Sequence, residues 1–196
     1  MNILFCVIKN LIVHHVLSPL DTCKVKLPRS TKLRGKNRLI CVKGAQINIA
    51  QNVTLFSRSW GYHGGMPFGT TLLADVKEAK ISIGAGCGIN GAYIHAKKNI
   101  VIGNNCVIAA GSNILDSNGH ELLSGNRTES IDSPKDIIIG NNVWICLNSV
   151  ILKGTEIGNN CVIAANSVVK GNFPDNSLIQ GNPAKIISQI PIKVQP

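Results

Sequence analysis

The feature that most constrains this chain is a six-residue spacing of aliphatic side chains that continues without a break through its C-terminal half. The positions in phase are Ile139, Ile145, Ile151, Ile157, Ile163 and Val169. An α-helix repeats every 3.6 residues and a strand every two, so neither element explains a period of six. The motif Gly-Asn-Asn returns after 18 residues, at 140–142 and 158–160. Three hexads per turn predict a parallel β-helix whose coils each contain three short strands and three turns.

The same repeat extends towards the N-terminus with interruptions. Earlier sets in phase are Ile102, Ile108 and Ile114, then Ile83 and Ile89, then Ile49 and Leu55. The phase slips by one residue between Ile89 and Ile102, and residues 116–136 show no hexad pattern. We therefore expect a loop that leaves the coil over 116–136. The corners favour Gly and Asn because these residues tolerate positive φ.

Composition is consistent with one solenoid. The 196 residues are 44% hydrophobic but only 4% aromatic, so the core must consist mainly of Ile, Val and Leu. We expect an N-terminal apolar helix and basic segment over 1–44, a β-helix over 45–173 with loops near 56–80 and 116–136, and a C-terminal tail over 174–196. Three of the seven cysteines, Cys87, Cys106 and Cys161, occupy small inward positions, which predicts buried thiols in a reduced setting.

Positive charge is concentrated near the N-terminus. Residues 1–44 hold nine of the 20 Lys and Arg and one acid, Asp21, a net of +8, whereas the remaining residues have a net of +2. The alternation of bases from Lys24 to Lys43 predicts an entering strand. Its charge is either a solvated face or a surface for anionic lipid or an acidic acceptor. Nucleic acid is not expected, because no recognition motif accompanies the bases.

Residues 1–20 are apolar but are interrupted by Lys9, His14 and His15. They make a poor signal peptide and are too short and polar for a transmembrane span. Several side chains share one helical face, which predicts an amphipathic helix packed on its own domain or lying on a membrane. We expect a cytoplasmic protein. If this segment lies on a membrane rather than on its own domain, it is the point of peripheral contact with the inner face of the cell membrane.

A resemblance to a known family rests on the segment from Ile137 to Ile187, IIIGNNVWICLNSVILKGTEIGNNCVIAANSVVKGNFPDNSLIQGNPAKII. This segment resembles the C-terminal half of the hexapeptide-repeat acetyltransferases, and the likeness extends over about residues 40–187. The sugar and polysaccharide O-acetyltransferases, including the maltose and galactoside enzymes, are the members it is most similar to. The resemblance implies a left-handed β-helix, a homotrimer and acetyl-CoA as donor. The handedness comes from the resemblance alone, because parallel crossovers are otherwise nearly always right-handed.

The same resemblance implies a catalytic histidine. His120, in ILDSNGHELL, matches the family's general base, and imidazole suits the removal of a hydroxyl proton near neutral pH. His95 is the alternative base. Asp116 is either the acid that orients His120 or an ordinary turn residue, and Glu121 is a weaker candidate for the same role.

The donor and acceptor sites are assigned to residues that interrupt the repeat or follow it. Trp144 places an indole at an outward position and is expected either to contact CoA or to pack between subunits. The other predicted donor residues are Ala164, Ala165, Lys170 and Lys185. The predicted acceptor residues are Asn90, Trp60 and Tyr62. The aromatic segment around Trp60 either stacks on a sugar or caps a subunit interface.

These observations predict an acetyl-CoA-dependent O-acetyltransferase that acts on a saccharide by direct transfer, with no metal required. Three alternatives remain. An N-acetyltransferase of an amino sugar differs only in the acceptor atom. A non-catalytic trimeric scaffold would share the fold. A metal enzyme of the γ-carbonic anhydrase kind would need three converging histidines, whereas the solenoid offers only His95 and His120.

Overall fold

The computed structural model of the chain describes residues 3–8, 11–16 and 24–191, and these residues form strands and turns without any helix. None of them forms a helix long and apolar enough to span a membrane. The strands of the first half are β1 (Ile3–Ile8), β2 (Leu11–Val16), β3 (Lys24–Lys26), β4 (Lys32–Gly35), β5 (Asn37–Cys41), β6 (Gln46–Ile49), β7 (Thr54–Ser57), β8 (Thr71–Ala74), β9 (Lys80–Ile83), β10 (Gly88–Asn90), β11 (Tyr93–Ala96) and β12 (Asn99–Ile102).

The strands of the second half are mostly two or three residues long. They are β13 (Val107–Ile108), β14 (Asn113–Leu115), β15 (Ile137–Ile139), β16 (Trp144–Ile145), β17 (Val150–Leu152), β18 (Glu156–Ile157), β19 (Val162–Ile163), β20 (Val168–Val169), β21 (Asn172–Phe173), β22 (Ser177–Gly181) and β23 (Ala184–Gln189). β22 and β23 lie within the segment that the sequence assigns to the C-terminal tail.

Three sheets form the sides of a triangular coil. The first sheet has the order β1-β2-β5-β8-β11-β14-β17-β20, the second β4-β7-β10-β13-β16-β19-β22-β23, and the third β3-β6-β9-β12-β15-β18-β21. Strands three apart in the chain pair in parallel, so each coil visits the third, the second and then the first sheet. The parallel β-helix predicted from the hexads is confirmed.

The hexad residues stack in columns inside the coil. In the second sheet Ile108 pairs with Ile145, which pairs with Ile163, and all three side chains are fully buried. The small inward positions are also closed to solvent: Ser149 and Ser167 have no exposed surface. The Ser149 hydroxyl lies 3.0 Å from the Cys146 carbonyl oxygen and 3.1 Å from that of Ala164. Buried hydroxyls are thereby satisfied by the main chain of adjoining turns.

Gly-Asn-Asn forms the corner between the third and second sheets, which we call the asparagine corner. Asn105, Asn142 and Asn160 have φ between 54° and 58°. The Asn141 Nδ2 donates to Asn159 Oδ1 at 3.1 Å, so the side chains form a ladder from coil to coil. The expectation that corners use Asn for positive φ is confirmed.

The N-terminal prediction of an amphipathic helix is wrong for the part of the segment that the structure describes. Residues 3–8 and 11–16 form an antiparallel strand pair, and β2 pairs in parallel with β5. Short runs of Ile and Val favour strands, and the edge of the first sheet offers unpaired main-chain groups to them. Residues 1–2, 9–10 and 17–20 of that segment lie outside the described residues.

The basic segment does enter the coil as strands, as its alternation predicts. In β4 the side chains of Lys32 and Arg34 are exposed while Leu33 packs against the core. In β5 the side chain of Arg38 is exposed while Leu39 is fully buried. The bases therefore face outwards on the first coil.

The one-residue phase slip has a structural cause at two corners. Ile94 follows Ile89 by five positions in the sequence. At the same corner two coils later, Ile151 follows Ile145 by six positions. Eight residues then separate Ile94 from Ile102. A turn shortened by one residue followed by a turn lengthened by two gives the net slip. Both irregular turns lie beside the candidate functional residues described next.

Candidate functional site

A cavity of about 370 Å³ opens at the corner between the second and first sheets, which we call the cavity corner. Its lining is mostly apolar, with a few polar groups, as is typical of a binding site for a small molecule. The lining residues are Tyr62, His63, Gly64, Asn90, Val107, Ala109, Trp144, Cys146, Leu147 and Ala165.

The shortened turn after β10 lets a loop close over this corner. The loop lies between β7 and β8, and Gly91, at φ 53°, sits beneath it. A Cβ on Gly91 would lie 2.5 Å from Met66 Cγ and 2.7 Å from the Phe68 carbonyl oxygen. Only glycine therefore fits this turn, which explains why the loop packs so closely here.

Aromatic rings fix the part of that loop that faces the cavity. The Tyr62 ring lies 5.8 Å from the Phe56 ring and 5.3 Å from the His63 ring, centroid to centroid. A Cβ on Gly64 would meet Leu147 at 3.3 Å, so the loop main chain lies directly against the coil. Tyr62 and His63 consequently form one wall of the cavity, and Trp144 and Ala165 belong to the coil beneath.

Four of the residues predicted from the sequence meet in this cavity. Tyr62 and Asn90 come from the predicted acceptor set, and Trp144 and Ala165 come from the predicted donor set. Asn90 Nδ2 donates to the Ile108 carbonyl oxygen at 3.2 Å, which holds the amide at the corner. The Trp144 side chain is 51% exposed, so its indole is available to a ligand.

Two further donor residues lie on the same sheet as Trp144. The Ala164 N–H donates to the Ile179 carbonyl oxygen at 2.8 Å, and Ala164 adjoins Ala165. Lys185 pairs with Gln180 in the β22–β23 hairpin, at the end of the second sheet. A molecule lying along this sheet from Trp144 would therefore reach Lys185 after crossing the two alanines.

Two predicted residues do not reach the cavity. Trp60 is 80% exposed and is not among the residues that line it. Lys170 follows β20 of the first sheet, so it lies at the corner between the first and third sheets, away from Trp144.

His120 lies on the loop that the sequence predicts over 116–136. This loop joins β14 of the first sheet to β15 of the third, at a corner that we call the loop corner. His120 Nδ1 lies 2.5 Å from the Arg127 carbonyl oxygen. A carbonyl oxygen only accepts hydrogen bonds, so Nδ1 is the donor, and in the neutral ring Nε2 then keeps its lone pair. The exposed imidazole is therefore in the tautomer that a general base requires.

Asp132 closes the base of this loop. Its Oδ2 accepts the Asn118 N–H at 2.7 Å and the Ser117 hydroxyl at 3.2 Å. Its Oδ1 is paired with the Lys153 ammonium, which also donates to the Ser133 carbonyl oxygen at 3.0 Å. Burial alone would raise the pKa of Asp132, but Lys153 and the two donors of the loop together lower it. Both ends of the loop are thereby held to one carboxylate.

Asp116 is placed elsewhere than the dyad hypothesis requires. Its side chain is fully buried, and its two oxygens accept the N–H groups of Lys97 and Lys98, each at 2.7 Å. Burial raises the pKa of Asp116 above its ordinary value, against the opposing effect of these N–H donors. In the structure Asp116 thus stabilises the turn at the loop corner. The His120 ring instead contacts the Arg127 carbonyl oxygen.

The alternative base and the weaker acid also have defined places. His95 Nε2 lies 2.9 Å from Asp75 Oδ1, on the outer side of the first sheet. Glu121 Oε1 accepts the N–H of Leu123 at 3.5 Å, within the loop itself. Among the residues that the structure describes, no three His, Cys, Asp or Glu side chains lie together as ligands for a metal ion would.

The cavity and His120 belong to different corners of the triangular coil. The cavity lies where the second sheet meets the first, whereas the His120 loop leaves where the first sheet meets the third. His120 is not among the residues lining the cavity. The cavity and His120 could therefore act on one substrate most directly if they came from two different copies of the chain.

Several residues of this site carry no signal in the sequence. Val107 and Ala109 look like ordinary residues of the hexad repeat, yet they line the cavity together with Tyr62, His63 and Gly64 of the loop between β7 and β8. Lys153 and Asp132 lie 21 residues apart and meet because the chain returns to the coil after the loop. An acid in a polar loop could have suggested an ion pair, but the sequence does not indicate which lysine is its partner.

Comparison with known proteins supports the repeat and the fold. Residues 136–171 match the family model described as bacterial transferase hexapeptide, six repeats. This segment of the chain therefore carries the hexapeptide repeat that the family model describes. WbbJ of Escherichia coli K12, whose name assigns it to lipopolysaccharide biosynthesis as an O-acetyl transferase, is 36% identical over 107 residues, covering 50% of this chain and 55% of WbbJ. The chain spans about half the length of the curated relatives it matches.

Solved structures of acetyltransferases share the architecture. The polysialic-acid-specific acetyltransferase NeuO has a TM-score of 0.65 at 21% identity, covering 95% of this chain and 79% of NeuO. The acetyltransferase VCA0836 of Vibrio cholerae O1 biovar eltor, solved in complex with acetyl-CoA, has a TM-score of 0.58 at 22% identity, covering 85% and 72%. The fold of this chain is thus the left-handed β-helix of the hexapeptide-repeat acetyltransferases.

Proposed function

We propose that this protein is an acetyl-CoA-dependent O-acetyltransferase that acts on a hydroxyl of a saccharide. The observation that carries the proposal is the cavity in which Tyr62 and Asn90 face Trp144 and Ala165. An aromatic ring and an amide suit a sugar, and an indole beside small residues suits the pantetheine arm of CoA. A bound donor and acceptor would therefore meet in one place.

The comparisons add support for both substrates. VCA0836, which shares the fold, is a complex with acetyl-CoA, and WbbJ is named for acetyl transfer in lipopolysaccharide biosynthesis. Acetyl-CoA as donor also favours a cytoplasmic location. Because the matched region is about half of WbbJ, the activity assigned to this chain rests on its own residues as well.

The proposed mechanism is direct transfer. His120 Nε2 takes the proton of the acceptor hydroxyl while the oxygen attacks the thioester carbon, and main-chain N–H groups stabilise the oxyanion. The carbon–oxygen bond forms, the carbon–sulfur bond breaks, and the proton leaves His120 to the CoA thiolate. We place His120 of one copy beside the cavity of another in a homotrimer, because one chain holds the two at different corners.

The test is the release of free thiol from acetyl-CoA with a panel of neutral, acidic and amino saccharides. We expect His120→Ala to lower kcat by at least about 100-fold, because the base contributes 10²–10⁴-fold to such steps. Glu121→Gln, on the same loop, should keep its rate. If acetyl is transferred only to amino groups, the acceptors are amines rather than hydroxyls. If no saccharide causes thiol release, the proposal is contradicted.

His95 provides a discriminating comparison. If His95→Gln abolishes turnover while His120→Ala retains it, the base is His95 with Asp75 as its partner, 2.9 Å away. We expect the opposite result, because His95 Nε2 lies beside that carboxylate in a buried position, whereas Nε2 of the exposed His120 ring is open to an acceptor.

A further inference from the structure

A second concave surface lies at the loop corner, outside the cavity described above. It is a groove of about 430 Å³, which we call the basic groove. The residues that line it are Lys77, Glu78, Lys80, Lys97, Lys98, Asn99 and Asp136. None of these side chains is apolar, so the groove suits a hydrophilic ligand rather than a packed protein segment.

The groove has an excess of positive charge. Four lysines face two carboxylates, a net of +2. Lys98 Nζ lies 2.9 Å from Asp136 Oδ1, and Lys77 Nζ lies 3.9 Å from Glu78 Oε1. Within the described part of the chain, Lys80 and Lys97 form no ion pair. These two ammonium groups are therefore available to an anionic ligand.

The fold repeats this charge from coil to coil. Lys77 and Lys97 both lie on turns at the loop corner that are longer than the tight turn from Ile151 to Ile157. Neighbouring parallel strands are about 4.8 Å apart, so successive turns present lysines at intervals comparable with one sugar unit. Exposed Lys135 continues the series in the following coil, where Gly154 leaves room for its side chain. The positive charge is thus arranged along the coil axis.

The basic groove adjoins the root of the His120 loop. The main-chain N–H groups of Lys97 and Lys98 hold the carboxylate of Asp116, the first residue of that loop. The Lys135 N–H donates to the Asp116 carbonyl oxygen at 2.9 Å where the chain returns. A ligand lying in the groove would therefore extend directly to the loop that carries the proposed base.

We propose that the basic groove binds a carboxylated segment of the acceptor glycan, next to the sugar that is acetylated. This inference rests on the proposed function and narrows the acceptor to an acidic oligosaccharide or polysaccharide. Single-stranded nucleic acid is disfavoured because the groove offers no aromatic ring for base stacking. A membrane surface is disfavoured because the site is concave and no apolar side chain lines it.

The test compares oligogalacturonate with a maltooligosaccharide of equal length as acceptors for the full chain. We expect the ratio of kcat/KM for the acidic over the neutral acceptor to fall about 3-fold to 10-fold in the double variant Lys80→Gln and Lys97→Gln, as expected for two exposed ion pairs. Added KCl should reduce the same ratio in the wild type. Lys32→Gln removes an exposed lysine of the basic N-terminal segment, which is the alternative surface for an acidic acceptor, and should leave the ratio unchanged.

Direct binding separates this inference from the proposed function. If no saccharide is acetylated, the proposed function fails, yet calorimetric titration of oligogalacturonate still reports on the groove. Binding that the double variant loses and Lys32→Gln keeps supports the inference. The inference is overturned if oligogalacturonate does not bind, or if both variants bind it equally well. It is also overturned if the same lysines bind a DNA oligonucleotide or anionic lipid vesicles more tightly.

Discussion

At the residue scale, the glycines of the asparagine corner leave no room for a side chain. A Cβ on Gly103 would lie 2.5 Å from the Gly140 carbonyl oxygen, and one on Gly84 would lie 2.5 Å from the carbonyl carbon of Gly103. These contacts involve the main chain of the next coil, which cannot move without disturbing the ladder of parallel hydrogen bonds. The corner motif is therefore a packing requirement as well as a turn signal.

This contact predicts the effect of Gly103→Ala. We expect a loss of about 2 kcal/mol or more in the free energy of unfolding, because a Cβ in this closely packed corner forces the main chains of two coils apart. Thermal unfolding should show a Tm lower by about 4–8 °C. Gly88→Ala is the control, since a Cβ there meets nothing within 4 Å, and its Tm should change little. Equal Tm values for both variants would contradict the packing argument.

Trp144 is the residue at which sequence and structure agree most closely. The sequence singles it out because a large ring stands at an outward position, and the structure places it in the cavity wall, half exposed. Asp116 shows the limit of such reasoning. Its partners, Lys97 and Lys98, come from the preceding coil, and their pairing depends on an irregular turn that no local pattern specifies.

The exposed indole predicts a defect in donor binding. Trp144→Ala should raise KM for acetyl-CoA about 10-fold, because an aromatic contact of this kind stabilises a ligand by about 1–2 kcal/mol. Initial rates at varied acetyl-CoA measure the change. Ile138→Ala removes a similarly outward apolar side chain from the third sheet and should keep the donor KM. Unchanged donor kinetics in Trp144→Ala would remove Trp144 from the donor site.

At the element scale, the His120 loop depends on one buried ion pair. The Asp132 side chain is 2% exposed and that of Lys153 is 15% exposed. Removing one partner of a buried pair leaves an uncompensated charge and is costly. We expect Asp132→Asn to lower kcat about 10-fold or more through displacement of His120, with little change in KM for acetyl-CoA. Glu129→Gln, an exposed acid on the same loop, is the control.

The lowered pKa of Asp132 also fixes a pH dependence. A carboxylate whose pKa is lower in the folded than in the unfolded protein stabilises the fold above its unfolded pKa of about 4, and this stabilisation is lost as the pH falls further. The Tm difference between wild type and Asp132→Asn should therefore be constant near neutral pH and shrink below about pH 4. A difference that is undiminished at pH 3, below the unfolded pKa, would show that the charge of Asp132 is not its source.

The elements themselves were predictable to different degrees. Hexads at regular intervals specify strands and corners because each inward position must fill one place in a narrow coil. The helix predicted for the N-terminal segment is wrong because a short run of Ile, Leu and Val fits a helical face and a strand equally well. The segment forms strands because β2 pairs with the free edge of β5, and this edge exists only in the assembled sheet.

At the scale of the whole molecule, the triangular coil separates the proposed base from the proposed substrate cavity. The first sheet lies between the two corners, and the His120 loop carries exposed apolar side chains, with Leu123 90% and Ile131 82% exposed. Where exposed apolar side chains form a contiguous patch, the patch marks a surface for contact with a partner. A homotrimer that packs this loop against the cavity corner of a neighbouring copy would cover them and complete each site.

Subunit complementation tests this arrangement. His120→Ala lacks the base and Trp144→Ala has a weakened donor site, so each should be slow alone at low acetyl-CoA. If a site combines His120 of one copy with the cavity of the next, mixed trimers contain some sites in which both residues are intact, about a quarter of all sites after random reassembly. We therefore expect co-refolded variants to recover about a quarter of the wild-type rate, measured as thiol release at low acetyl-CoA. Mixing the folded variants without subunit exchange is the control and should recover nothing. A co-refolded mixture no faster than the average of its two components would place the base and the donor site in the same chain.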